Sequence, residues 1–192
     1  GRELKILLDR HDDGQLEDTY FTVVYQPHRD ADGQVIGIDA FGFEVTETVL
    51  ARQRAEAAVA ELDAVFHSVP DALYVGDMNG MRRANAAALS LLGYDSLADL
   101  NRSVSTLAEE IQTRRVDNGE PIPVEEQAFT RALHGQPDIQ DVRIRHLKTG
   151  EERVVRAACA PIRVGDEVVG AVAINTDITE RIEAEQALRD RT

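Results

Sequence analysis

Cysteine occurs once in this chain, at Cys159, and tryptophan not at all. A single thiol excludes an internal disulfide framework and any cysteine-rich metal site. Aromatic residues make up only 5% of the 192 positions, so any core must be built from aliphatic side chains and alanine. Positive charge is scarce as well: 21 lysines and arginines stand against 35 aspartates and glutamates, a net charge of −14. A chain this acidic repels phosphate backbones, and no basic cluster offsets the repulsion, which argues against direct binding to DNA or RNA. Long apolar runs are missing too. The longest, residues 168–174 and 86–92, fall well short of the roughly 18–20 residues that a membrane span needs. Nothing at the N-terminus resembles a signal peptide, and Gly1 reads as a cut end. Together these features suit the cytoplasm. Signatures of catalysis are also absent: there is no phosphate-cradling glycine loop, no His-Glu-x-x-His and no Gly-x-Ser-x-Gly. Adjacent carboxylates such as Glu125-Glu126 and Glu151-Glu152 read as solvated surface. The expectation is that the chain is not an enzyme.

What is present begins with strands. Residues 4–9 form a short strand before the turn residues Asp12-Asp13-Gly14, and residues 19–26 are rich in the β-favouring Tyr, Phe, Thr and Val. Asp30-Ala31-Asp32-Gly33 is a hairpin turn leading to a third strand over 35–45. The character then changes. Residues 47–68 contain no Gly or Pro, and Ala55, Val59, Leu62 and Phe66 recur at spacings of three and four, a helical stripe. Pro70 ends it. The remainder, 71–192, reads as a complete α+β domain. A strand over 73–78 turns at Asn79-Gly80 and returns over 81–84. A short helix over 85–92 stops at Gly93, a residue suited to a helix C-terminus. Mixed short helices and loops fill 94–122, and a helix spans 124–134. Three strands follow at 139–147, 152–163 and 167–176, and a last helix covers 178–191.

The two strand regions repeat each other. Pro27-His28-Arg29, Gly33-Gln34-Val35-Ile36-Gly37 and Glu44-Val45-Thr46-Glu47 match Pro161-Ile162-Arg163, Asp166-Glu167-Val168-Val169-Gly170 and Asp177-Ile178-Thr179-Glu180. Pro27 pairs with Pro161 and Val35 with Val168, so the offset falls from 134 to 133 across the turn. One residue is lost where loss disturbs least. In each copy a strand runs directly into a charged, alanine-rich helix.

Residues 62–180 contain, in order, Ser68-Val69-Pro70-Asp71-Ala72, Asn85-Ala86-Ala87-Ala88 with Leu91-Leu92-Gly93-Tyr94, Lys148-Thr149-Gly150, Ala160-Pro161-Ile162-Arg163 and Asp177-Ile178-Thr179-Glu180. With this set they resemble the PAS family. The resemblance implies a five-stranded antiparallel sheet with short helices on one side. It divides the chain into a truncated module at 1–46 holding only its last three strands, a linker helix at 47–68, a complete PAS domain at 69–177, and the start of an outgoing helix at 178–192. It implies a sensory or relay segment acting on an absent effector, such as a histidine kinase or a cyclic-dinucleotide enzyme. The runner-up is a sensor holding haem or a small metabolite in the PAS pocket. Glu44 departs from the pattern, in which Asp is usual, but keeps a carboxylate.

Five residues are candidates for signal coupling: Asp177, Thr179 and Glu180 at the second strand-to-helix junction, and Glu44 and Thr46 at the first. Asp-x-x-Glu fits a capped helix start, in which the carboxylate accepts N–H bonds left open in the first turn. The plain alternative is a cap that moves nothing. The helix 47–68 reads either as a parallel coiled coil of a homodimer, aided by the N-terminal strands, or as a helix packed on its own domain. His134 stands roughly where haem-binding relatives place their ligand, yet Leu133-His134-Gly135 equally reads as a helix end in water. His146 shares strand parity with Val142 and Ile144 but lies next to a turn, at the sheet's rim. Cys159 lies on an alanine-rich strand, without the helical Asn-Cys-Arg segment of flavin-binding relatives, so no flavin–thiol photoadduct is expected. It reads as a small buried apolar residue. The expectation is therefore no bound cofactor, with haem disfavoured. A bare three-stranded sheet would expose an apolar face. Phe21, Val23 and Tyr25, or their neighbours of opposite parity, should thus be covered by the helix 47–68 or by a second chain.

Overall fold

In a computed structural model, which describes residues 3–189, every turn placed from Gly, Asp and Asn becomes a chain reversal. Strands β1 (Glu3–Leu8), β2 (Glu17–Arg29) and β3 (Val35–Glu44) form an antiparallel meander, and helix α1 (Thr46–Ser68) follows with one residue between. Next come β4 (Ala72–Asp77), β5 (Gly80–Ala84), α2 (Ala86–Leu92), α3 (Leu97–Leu100), α4 (Val104–Glu110), the two-residue strand β6 (Arg114–Arg115) and α5 (Ala128–Leu133). The chain ends in β7 (Asp138–Arg145), β8 (Glu152–Val164), β9 (Glu167–Asp177) and α6 (Thr179–Arg189). The expected continuation of α6 past 189 lies outside the described residues. The chain divides into two units, one up to residue 63 and one from residue 64 onward.

The second unit has the expected antiparallel sheet, in the order β5-β4-β9-β8-β7, with β6 added at one edge. Period-two alternation decides which side is buried. Val142 and Ile144 on β7, Val155, Ala157 and Cys159 on β8, and Ala171 and Ala173 on β9 point into one core with Leu91, Leu92, Leu100 and Phe129 of the short helices. Alanines on the central strands let α5 lie close against the sheet. Asn85 caps α2, accepting from the Ala88 N–H at 2.9 Å, and Gly93 closes it in the left-handed region at φ 87°. A side chain at Gly93 would also strike the ring of His146, with the nearest atom 2.7 Å from an added Cβ.

One expected helix is broken. Residues 124–134 comprise a single 3₁₀ turn (Val124–Glu126), an extended Gln127 (φ −72°, ψ 140°) and then α5. The side chain of Gln127 turns back to the Ile122 carbonyl at 3.2 Å, and the Ala128 N–H is taken by Gln140 of β7 at 3.3 Å. These tertiary bonds replace the helical ladder that propensity alone would continue.

In the first unit, Val49 in the first turn of α1 is buried, whereas residues 51–65 are exposed. The expectation that α1 covers the sheet is therefore corrected. The helix is tied to the sheet within its first two turns, through Thr46 and the Arg52–Glu3 ion pair, and Tyr25 remains 66% exposed while Phe21 and Val23 are half-buried.

Candidate functional site

The two strand-to-helix junctions are the same structure built twice. At the first, the Val45 N–H donates to the Tyr20 carbonyl at 2.8 Å, and the Tyr20 N–H donates to the Thr46 hydroxyl at 2.9 Å. At the second, the Ile178 N–H donates to the Val154 carbonyl at 2.8 Å, and the Val154 N–H donates to the Thr179 hydroxyl at 2.9 Å. The first helical bonds, Val49 N–H to Val45 and Ile182 N–H to Ile178, are both 3.0 Å. Registers agree as well: Phe21 faces Glu44 as Val155 faces Asp177, and both β-hairpins slip register at the same place, after His28 and after Ile162. The sequence repeat is thus a repeat of backbone geometry. A threonine hydroxyl continues the ladder of the central strand where the chain leaves the sheet as a helix.

Of the expected capped helix start, the Asp177 arm forms and the Glu180 arm does not. Asp177 Oδ1 accepts from the Thr179 hydroxyl at 2.6 Å and from its N–H at 3.0 Å, and Oδ2 lies 3.5 Å from Arg153. Asp177 therefore orients Thr179, whose oxygen then faces β8. Glu180 is exposed, and among the described residues its side chain makes no hydrogen bond or ion pair, so the return arm of a capping box is not formed. Glu44 pairs with Arg10 from the loop before β2. Of the five candidates, Thr46 and Thr179 touch the neighbouring strand directly. Asp177 acts through Thr179, and Glu44 and Glu180 stand outside that contact.

Sequence reasoning missed Asn85, which is 1% exposed. Its Oδ1 accepts from Leu73 N–H at 3.0 Å as well as from Ala88, and its Nδ2 faces the carbonyls of Phe66 (3.4 Å), Val69 (3.2 Å) and Asp71 (2.9 Å). One side chain thereby joins the last turn of α1 to β4 and α2. Phe66, part of the expected coiled-coil stripe, is buried here instead, with the guanidinium of Arg83 4.3 Å from its ring centre. Asparagine immediately before an alanine-rich helix was the available signal, but it announces only a cap.

A cavity of about 70 Å³ lies between the sheet and the helices, bordered by Tyr74, Phe129, Gln140, Val142, Ala157 and Asn175. Asn175 is buried; its Nδ2 donates to the Tyr74 hydroxyl at 3.4 Å, and its Oδ1 has no partner among the described residues. Burial raises the pKa of the Tyr74 phenol. Sites for drug-sized ligands measure roughly 300–1,000 Å³, so haem or a flavin does not fit this space. The side chains do not fit either. His134 is exposed, its Nδ1 lies 2.8 Å from the Thr130 carbonyl, and it does not border the cavity. Cys159 is buried on β8 with its thiol pushed up to about 12 by burial. His146 stays at the rim, 3.1 Å from the Ser90 carbonyl. No cluster of metal-ligating side chains occurs among the described residues, and no helix there is long and apolar enough to cross a membrane.

Comparison with known proteins agrees with this architecture. The family described as PAS fold matches residues 66–183. Among solved structures, a PAS domain of an HTR-like protein from Haloarcula marismortui is 21% identical, covers 67% of this chain and 98% of its own, and superposes with a TM-score of 0.48. An RNA-binding light-oxygen-voltage receptor is 20% identical with a TM-score of 0.53; the alignment spans 88% of this chain but only 42% of that one. The PAS domain of BvgS from Bordetella pertussis is 22% identical, with 69% and 96% coverage and a TM-score of 0.44. The sheet order, the short helices on one face and the match over residues 66–183 lead to one conclusion: the chain belongs to the PAS-fold family.

Proposed function

We propose that this chain is a non-catalytic sensory and relay segment of a cytoplasmic signalling protein, in which a change in the sheet is passed to the helix that leaves it. The observation that carries this reading is the duplicated junction, where Thr46 and Thr179 bond the backbone of a central strand. A distortion of β2 or β8 moves that bond and with it the first turn of the helix. Residues 1–46 are read as the last three strands of a second module of the same kind, and α1 as a link between modules that pairs with α1 of a second copy. Support for pairing comes from Val59, Leu62 and Val65, apolar and 66%, 69% and 56% exposed on a helix without Gly or Pro. The partner of α6 is an effector domain such as a histidine kinase.

The test uses the chain in a Cys159→Ala background, with single cysteines placed in turn at positions 55 to 65 of α1. Light scattering reports a dimer, and oxidation crosslinks positions 59 and 62 most strongly, with a helical period. A monomer at about 100 µM would overturn the pairing, since the association would then be worth less than about 5.5 kcal/mol. Thr179→Val, which removes the hydroxyl and keeps the shape, should raise amide exchange at the start of α6 by about fivefold, equivalent to roughly 1 kcal/mol for one net hydrogen bond. Unchanged exchange there would overturn the coupling.

The second reading is a small-ligand sensor, favoured by the unpartnered Asn175 Oδ1 beside Tyr74 at the cavity. An absorbance spectrum and a native mass spectrum of the purified chain separate the two readings. Retained mass supports the sensor.

A further inference from the structure

The outer face of each sheet carries a carboxylate–arginine fork at the same register position, and the two forks are wired differently. In the first unit Glu3, which faces Thr22 across β1 and β2, holds Arg52 of α1 in a bidentate pair at 3.1 and 2.7 Å. The sheet thereby grips the helix. In the second unit the equivalent carboxylate is Asp141, which faces Arg156 across β7 and β8. The assignment follows from register: Leu4 faces Phe21 as Val142 faces Val155, and Phe21 and Val155 are matched by the repeat. Here Arg156, standing where the first unit has Thr22, takes Asp141 for itself at 2.8 and 2.8 Å. The helix position equivalent to Arg52, counted from Val45 and Ile178, is Glu185. Its charge is reversed, so Asp141 would repel it and Arg156 would attract it. In the structure Glu185 turns along its own helix to Arg181 at 3.0 Å. Both residues of α6 are near enough to act on the fork. Arg156 first, and Arg181 after it, draw the Asp141 carboxyl below its ordinary range, and Glu185 adds to the forces that keep Arg156 protonated.

We propose that Arg156 is a positioning residue for the outgoing helix: fixed by Asp141, its guanidinium is a seat for Glu185, and α6 has two settings. In the clasped setting Glu185 sits on Arg156; in the released setting it pairs with Arg181. The first unit shows the clasped arrangement with charges exchanged, and there too the helix residue has a partner along its own helix, Glu56 at 3.8 Å from Arg52; the sheet side differs, because Glu3 faces Thr22 and not an arginine. Occupied, the seat joins α6 to β7 and β8 about two turns beyond the Thr179 contact, so the direction of the helix is decided there. The inference adds to the relay reading a place where the outgoing helix is switched, but its test does not depend on pairing between copies.

The experiment transplants the wiring of the first unit into the second. Arg156→Thr with Glu185→Arg leaves Asp141 free to grip the introduced guanidinium, as Glu3 grips Arg52. Amide exchange of the 179–189 peptides is measured for the wild-type chain, for both single variants and for the double variant. Both forms carrying Glu185→Arg lack the Arg181–Glu185 pair, so comparing them isolates the sheet side. The double variant should exchange about two- to fivefold more slowly than Glu185→Arg alone, the range expected for a partly exposed ion pair. That gain should vanish in about 1 M salt, where screening is nearly complete. Peptides from β8 and β9 must exchange alike in all forms, which separates the clasp from general loosening. A double variant no slower than Glu185→Arg alone, or an Arg156→Thr chain whose 179–189 peptides exchange no faster than those of the wild type, overturns the proposal. The crosslinking of α1 reports separately on pairing, so either result can fail without the other.

Discussion

Replacing Asn85 by alanine removes five contacts from one fully buried point. The N–H of Leu73 and of Ala88 lose their acceptor, and the carbonyls of Phe66, Val69 and Asp71 lose a donor. Alanine is too small to restore any of these, and the site is too enclosed for bulk water to do so. Each buried donor left unpaired costs about 1–3 kcal/mol. The carbonyls add less, since each keeps other options for its lone pairs. The expected loss is about 3–4 kcal/mol, a large part of the roughly 5–15 kcal/mol that holds a domain folded. The two units need separate readouts, so urea unfolding should be followed by proteolysis of peptides from β8 and β9, which report the second unit alone. The midpoint should fall by about 1.5–3 M with an unchanged slope. Ser96→Ala, at the exposed cap of α3, is the comparison and should cost about 1 kcal/mol or less. If Asn85→Ala costs no more than Ser96→Ala, the side chain is only a cap, and its bonds to the end of α1 carry nothing.

Other consequences follow from titrating groups. The Asn79 N–H, 2.7 Å from Asp77, lowers the carboxyl pKa, with Arg82 and Gly80 assisting. A folded-state pKa below the unfolded value of about 3.9 contributes stability that is present above that value and lost as pH falls through the folded one. Asp77→Asn should therefore flatten the acid limb of stability between about pH 4 and pH 2, as read by urea midpoints; an unchanged slope would refute the assignment. Cys159, with its thiol pushed up to about 12, should react with a disulfide reagent at about pH 8 at least about 100-fold more slowly in the folded chain than in urea, because the thiolate is the reactive form. Fast labelling of the folded chain would show that β8 opens readily at that point.

Much of the architecture was legible in the sequence because it rests on local chemistry. Asp30 to Gly33 makes a turn wherever it is placed, since Gly33 adopts φ 81° and Asp30 accepts the N–H groups of Asp32 and Gln34. Gly93 ends α2 for the same kind of reason, and the alternation along β8 follows from the pleat. The repeat was equally visible, because turn residues and strand ends recur in order.

The break at Gln127 was not legible. Residues 124–134 have a helical composition, and only Ile122 and Gln140, brought together by the fold, decide that the ladder stops there. The candidate site divides in the same way. Asp177 and Thr179 could be read as a helix start, because a carboxylate two residues before an N–H acts over short range. That Thr179 bonds Val154, that Asn85 holds the end of α1, and that Asp141 faces Arg156 rather than the helix depend on strand register. Register is a property of paired chains, and residues far apart in sequence meet only once the sheet has formed. By itself the sequence determined where the chain turns, which faces are apolar, and that the strand-to-helix junction occurs twice. Only the tertiary structure decided what each junction touches, since those partners are backbone groups and distant charges that no local pattern specifies.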